Sequence, residues 1–159
     1  MQTSNLQMVY LLLGSNLGNR KEILDKAIKL LSQKVGVVIL QSKDYETSPW
    51  GVTDQPDFLN SVVSIQTKLK PLQILEITQS IENQLGRIRK EKWGARLIDI
   101  DVLFYGNEII DEPNLKIPHP LLQERDFTLS PLAEIAPDFV HPVLGKTILE
   151  LREKLISIS

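Results

Sequence analysis

The chain has 159 residues, 42% apolar and 24% charged, a balance that suits one globular domain with a real core and excludes a disordered or low-complexity protein. A formal net charge of −2 gives no global pull towards nucleic acid or a membrane surface, and the absence of cysteine excludes disulfides and thiolate metal sites. Residues 1–8 are polar and carry no signal-peptide core, and the apolar run at 8–13 is too short to span a bilayer, so a cytoplasmic chain is expected.

Residues 8–13 are apolar on both faces and predict a central strand. Residues 14–18 form a turn, after which Asn19 caps a helix with Glu22 placed as in a capping box. Leu24, Ala27, Ile28 and Leu31 recur at helical spacing, carrying that helix to about Lys34, and Gly36 ends it. Residues 37–46 read as a second strand and 59–69 as a third, the latter interrupted by Ser61, Ser64 and Thr67 so that one face is expected to be polar. Pro71 suits the first turn of a second helix with Ile74, Ile77, Thr78, Ile81 and Leu85 as its buried stripe and Gly86 as its stop. Residues 97–105 alternate as a strand, with Ile98, Ile100, Val102 and Phe104 on one face and Asp99, Asp101, Leu103 and Tyr105 on the other. Residues 113–142 look irregular, and a last helix is predicted over 146–155.

Strand, helix, strand, strand, helix, strand is the ferredoxin-like split βαβ order, an α+β fold with an antiparallel sheet. Both helices then pack on one face and leave the other for a ligand.

The acidic pair in the last strand is the most informative feature. Asp99 and Asp101 share a face with backbones roughly 6.6 Å apart. Two carboxylates that close either form an exposed polar edge or converge on hard cations, for which oxygen ligands favour magnesium over zinc. Upstream lie Arg87, Arg89, Lys90, Lys92 and Arg96, with Glu91 the only acid among them. Such a cluster is either a solvated loop or the partner of a metal–polyphosphate complex. Trp93 within it can stack on a flat ring or close over one.

Two further segments carry weaker signals. The glycine turn at 14–18 precedes a helix N-terminus and can cradle a phosphate, but it lacks the P-loop Lys-Ser/Thr and serves equally as a tight structural turn. Thr47, Ser48, Pro49, Trp50, Gly51, Phe58 and Asn60 mix rigid, aromatic and polar side chains, which suits either a structured loop or a pocket for a planar hydrogen-bonding ring. His119, with Arg125 and Phe127 close behind, stands in a Pro-bracketed loop where it is exposed or meets phosphate. His141 is assigned no role.

Gly14-Ser15-Asn16-Leu17-Gly18-Asn19-Arg20, Asp54-Gln55-Pro56-Asp57-Phe58-Leu59-Asn60 and Arg96-Leu97-Ile98-Asp99-Ile100-Asp101, in that order, resemble the 6-hydroxymethyl-7,8-dihydropterin pyrophosphokinases. The likeness runs from about Tyr10 to about Pro142 and is most specific over 87–101. Departures are Ala95 where the family often has Pro, Lys92 where Arg is common, and Pro120 where some members carry Tyr. The resemblance implies transfer of pyrophosphate from MgATP to the hydroxymethyl group of the dihydropterin, with release of AMP, in folate biosynthesis. It implies a catalytic set of Asp99, Asp101, Arg87 and Arg96, the two aspartates binding two magnesium ions. Thr47, Ser48, Trp50, Phe58, Asn60 and Phe127 would line the pterin pocket. There Asn60 would read the ring edge, Phe58 and Phe127 would sandwich the ring, and Trp93 would close the site. Gln79, Glu82, Ile100, His119 and Arg125 would contact ATP, with Arg87, Arg89 and Arg96 on its phosphates. The implied protein is a cytoplasmic monomer acting on small molecules, without nucleic acid or membrane. The competing reading is a non-catalytic ferredoxin-like nucleotide- or RNA-binding module, whose sheet would display paired aromatics.

Overall fold

Residues 6–47, 57–86 and 97–158 are described by a computed structural model. β1 (Gln7–Ser15) lies inside the sheet because it is apolar on both faces: Val9, Leu11 and Leu13 are buried on one side and Leu12 on the other. It runs further than the sequence predicts. Gly14 and Ser15 continue the ladder, opposite Asn60 and Leu59, instead of opening a turn.

α1 (Arg20–Lys34) follows with Asn19 as its cap, Oδ1 accepting from Glu22 N at 3.1 Å, but the expected capping box is not closed, since the Glu22 carboxylate pairs with Lys26 at 3.2 Å instead. The strand expected over 37–46 is divided into β2 (Gly36–Gln41) and β3 (Tyr45–Thr47), which lie along successive parts of β4 (Phe58–Thr67). The break falls at Ser42, whose amide donates to Val62 O and whose hydroxyl accepts from Val62 N, so the chain leaves and rejoins β4 around one residue. Gly36 is needed for a different reason than stopping the helix. A Cβ there would lie 2.0 Å from Gln66 O, so only glycine lets β2 approach β4.

α2 (Pro71–Gly86) buries Ile74, Thr78, Ile81 and Leu85, and β5 (Asp99–Tyr105) completes the sheet. The antiparallel order is β2-β4-β1-β5, with β3 also on β4, which is the ferredoxin-like arrangement the element order predicts. A short hairpin of β6 (Ile110–Glu112) and β7 (Leu115–Ile117) follows.

Three expectations about faces need correction. First, the face opposite α1 and α2 is only partly open. α3 (Asp126–Ile135) and α4 (Ile148–Ser157) cover much of it, burying Leu12, Val62, Leu103 and Phe104 against Leu129, Leu132 and Ile148. Second, the alternation of β5 breaks. Tyr10 pairs with Phe104 but Leu11 with Val102, so Leu103 is an extra residue in a bulge. Phe104 therefore joins Leu103 under α3 and α4, while Tyr105 turns to the α1/α2 core, where its hydroxyl donates to Leu69 O at 2.6 Å. Third, Ser61, Ser64 and Thr67 form no polar face. All are buried, and each hydroxyl is engaged: Ser61 with Ser42, Ser64 with Leu40 N, and Thr67 with Val35 O and Leu69 N.

Candidate active site

The uncovered part of the second face lies at the end of β1 that carries Gly14. Antiparallel register brings three strands into one row there, Asn60 opposite Gly14 and Gly14 opposite Asp99. The next row on the same face is Val62, Leu12 and Asp101. An amide and two carboxylates from distant parts of the sequence thus share one surface, and Gly14 leaves the space between them.

A cavity of about 220 Å³ sits on these rows, lined by Leu12, Gly14, Thr47, Phe58, Asn60, Asp99, Asp101, Arg125 and Phe127. The lining combines aromatic and apolar side chains with an amide, two carboxylates and a guanidinium, the mixture that suits a ligand part flat ring and part polar. Asn60 is buried, and its Nδ2 donates to Thr47 Oγ1 at 2.6 Å. That bond fixes which way the amide points. Thr47 in turn is held by β3 pairing, with Thr47 opposite Phe58.

Beyond Thr47, Arg20 braces the ends of β3 and β4 by donating from Nη1 to Glu46 Oε2 at 2.9 Å and to Asp57 O at 3.0 Å. Sequence reasoning did not single out Arg20. Its signals in the sequence are its place in the first turn of α1 and its position as the last residue of the Gly14-to-Arg20 stretch.

Arg125 and Phe127 come from the entry to α3, a helix the sequence reading leaves as irregular chain. The Arg125 guanidinium stands 5.4 Å from the Phe127 ring centroid. His119 follows a cis Ile117–Pro118 bond and is tied to β5 by its amide, which donates to Leu103 O at 3.1 Å. Its Nδ1 accepts from Leu121 N at 3.2 Å, which assigns the proton of the neutral ring to Nε2. Burial pushes the imidazole pKa down; the Asp101 carboxylate opposes that shift and the Arg125 charge adds to it, so His119, Asp101 and Arg125 form one electrostatic group.

Glu82 reaches from α2 to the outer edge of β5, where Oε2 accepts from Ile100 N at 2.7 Å. The Ile100 side chain is buried in the α1/α2 core, so only its backbone is available at that edge. Gln79 is exposed on the outer side of α2, in a polar groove with Glu76, Ser80, Asn83 and Gln84, and does not line the Asn60–Asp101 cavity. Ser48, Trp50, Arg87, Arg89, Trp93 and Arg96 lie outside the described residues.

His141 has a place after all. It is buried against Phe104, with ring centroids 5.4 Å apart, and Nδ1 accepts from both Val143 N and Leu144 N at 3.1 Å. The role is to fold the turn before α4. Among the described residues no helix is long and apolar enough to cross a membrane.

Comparison with known proteins gives the family. The sequence pattern described as 7,8-dihydro-6-hydroxymethylpterin-pyrophosphokinase (HPPK) matches residues 10–137. A 2-amino-4-hydroxy-6-hydroxymethyldihydropteridine pyrophosphokinase of Methylorubrum extorquens is 48% identical over 147 residues, covering 92% of each chain. The Bacillus subtilis protein of the same name is 47% identical over 129 residues, covering 80% of this chain and 77% of its own. Among solved structures, wild-type HPPK-DHPS of Plasmodium falciparum superposes with a TM-score of 0.79 at 20% identity; the match covers 96% of this chain and 45% of that one, and speaks for the fold alone.

Proposed function

This chain belongs to the 7,8-dihydro-6-hydroxymethylpterin-pyrophosphokinase family, and we propose that the cavity between Asn60 and Asp101 is where its reaction takes place. The activity is ATP-dependent pyrophosphoryl transfer to the hydroxymethyl group of the dihydropterin, in folate biosynthesis. The bond between the β-phosphorus and the oxygen that bridges it to the α-phosphorus breaks, AMP leaves carrying that oxygen, and the substrate hydroxymethyl oxygen takes its place on the β-phosphorus. The observation that carries the assignment is the pair of rows set by β1 register, with Asn60 at one end and both aspartates at the other.

In this reading the pterin ring lies between Phe58 and Phe127, and Asn60, oriented by Thr47, reads its hydrogen-bonding edge. The hydroxymethyl group then points towards Asp101, which takes up its proton. Arg125 and the neutral His119 Nε2–H meet phosphate oxygens, and Glu82, Gln79 and the Ile100 backbone lie on the nucleotide side. Holding two reactants in line and neutralising charge accounts for most of the acceleration, with no covalent nucleophile.

The donor set fits magnesium. Asp99 and Asp101 are half-buried hard oxygen donors on one face of β5. Magnesium prefers such a site, keeping positions for water and phosphate oxygens. Asp99 and Asp101 would hold two ions, which when bound supply charge neutralisation and a template for in-line displacement.

The RNA-binding alternative asks for aromatics displayed on the open face. Tyr10, Phe104 and Phe139 instead pack together, with Phe104 and Phe139 centroids 4.7 Å apart, in the cluster beneath α3 and α4. The net charge of −2 likewise supports a chain without nucleic-acid partners.

The test is a product assay with ATP, magnesium and 6-hydroxymethyl-7,8-dihydropterin, separating AMP from ADP. Pterin-dependent AMP is the expected result. ADP, or no nucleotide product from folded protein, overturns the proposal.

A further inference from the structure

α3 carries Phe127 at its start and Glu134 near its end, seven residues apart and therefore on one face, roughly 10.5 Å along the axis. β3 runs beside it. At one end of this pair, Thr47 and Phe127 line the cavity. At the other end the Glu134 carboxylate receives three hydrogen bonds from the β3 side: Tyr45 Oη donates to Oε1 at 2.7 Å, and Lys43 N donates to Oε1 at 3.1 Å and Oε2 at 3.2 Å. α3 is anchored from behind as well, since Arg152 Nε of α4 donates to Ser130 Oγ at 3.1 Å and that hydroxyl donates to Asp126 Oδ1 at 2.8 Å.

We propose that Glu134 is a positioning residue for the pterin pocket, clasping β3 to α3 so that Phe58, paired with Thr47 of β3, and Phe127 on the helix stand apart by the thickness of a flat ring. The proposal rests on reading the Asn60–Asp101 cavity as the pterin site. Glu134 touches neither substrate. It acts through β3, whose Tyr45 and Thr47 stand on the same strand face two residues apart. The Tyr45 bond to the carboxylate, at 2.7 Å, is charge-assisted and so about twice as strong as a neutral one, which suits it to such a clasp. Burial first, and then the Glu134 carboxylate, push the Tyr45 pKa up to about 12, so the phenol keeps its proton and remains a donor at any working pH. Loss of the clasp frees β3, and with it Thr47 and its bond to Asn60, whereas α3 and the Arg125 at its entry stay anchored through Ser130 to Asp126 and Arg152, so the pterin side feels the change more than the nucleotide side.

The experiment compares steady-state kinetics of the wild type with Glu134→Ala, Glu134→Gln and Tyr45→Phe, varying pterin and ATP separately, with a thermal melt of each. Glu134→Ala is expected to raise the pterin KM on the order of tenfold while the ATP KM stays within about twofold. Glu134→Gln, which keeps one acceptor oxygen, recovers part of that loss. Tyr45→Phe moves the pterin KM in the same direction, and combining it with Glu134→Ala adds less than the two separate effects together. A pterin KM within about twofold of wild type in both Glu134→Ala and Tyr45→Phe overturns the clasp. So does a parallel rise of both KM values that tracks the melting temperature, which marks a purely structural role. If Glu134→Ala does not fold, Tyr45→Phe decides the matter by the same criteria. A wild type that makes no pterin-dependent AMP fails the functional reading itself and takes the clasp with it, whereas an active wild type with unaltered variants sinks the clasp alone.

Discussion

Gly14 and Asn60 face each other across β1 and β4, and a Cβ on Gly14 would lie 2.8 Å from Asn60 Oδ1. The amide proposed to read the pterin edge is therefore set in a notch that only a hydrogen side chain leaves open. Gly14 is not among the positive-φ glycines, so an alanine there meets no backbone strain and reports on this contact alone. Gly14→Ala is expected to turn the Asn60 amide away from Thr47 and raise the pterin KM by about tenfold or more, with the ATP KM little changed. Separate titration of the two substrates checks it, and equal pterin KM values would show that the amide orientation is set elsewhere.

Asp101 sits opposite Leu12, one row from Asp99, and faces the electrostatic group of His119 and Arg125. Asp101→Ala is expected to lower turnover by at least ~10²-fold, the scale of losing one major electrostatic stabiliser. The fold should survive, because the side chain lies on the cavity wall and not in either apolar cluster. AMP formation measured beside a melting curve separates the two effects; turnover near wild type would remove Asp101 from the metal site.

Thr67 tests the sheet far from the cavity. Its buried hydroxyl donates to Val35 O at 2.8 Å and accepts from Leu69 N at 3.0 Å. Thr67→Val keeps the shape and leaves both backbone groups unsatisfied, a cost of about 1–3 kcal/mol. Chemical denaturation should show that loss, while KM for both substrates stays unchanged.

His141 makes stability depend on pH. Burial pushes its pKa below the ordinary 6.5, so the folded state favours the neutral ring, whose Nδ1 must stay unprotonated to accept from Val143 N and Leu144 N. The unfolded chain then binds the proton more readily than the folded one. Stability is complete above the ordinary value and is lost as pH falls through the lowered one. Melting temperatures should fall between roughly pH 7 and pH 5, and the slope should shrink in His141→Asn, whose Oδ1 accepts the same amides without titrating. His119, shifted in the same direction by burial, leaves a residual slope in that variant. An unchanged slope would assign the effect to other groups.

What the sequence determined by itself was what short-range chemistry can encode. Asn19 ahead of Glu22 marks a helix start because the cap lies within one turn, and Pro71 marks another because its missing N–H costs nothing there. Asp99 and Asp101 share a face because strand periodicity is two, whatever the strand packs against. Those local signals sufficed for the element order, and hence for the ferredoxin-like sheet. Tertiary structure decided the rest, wherever the cause lay far away in sequence. Phe104 and Tyr105 exchange sides through a bulge that exists only once β5 pairs with β1. Ser61, Ser64 and Thr67 look like a polar face until the chain segments that accept and donate to them are in place. α3 carries Pro131 in its middle and its helical pattern is faint, yet burial of Leu129 and Leu132 against the sheet overrides that weak propensity and delivers Arg125 and Phe127 to the cavity. The site followed the same division. Its residue types were legible one by one, but Asn60, Gly14 and Asp99 become neighbours only through antiparallel register, a property of paired strands that no single segment contains.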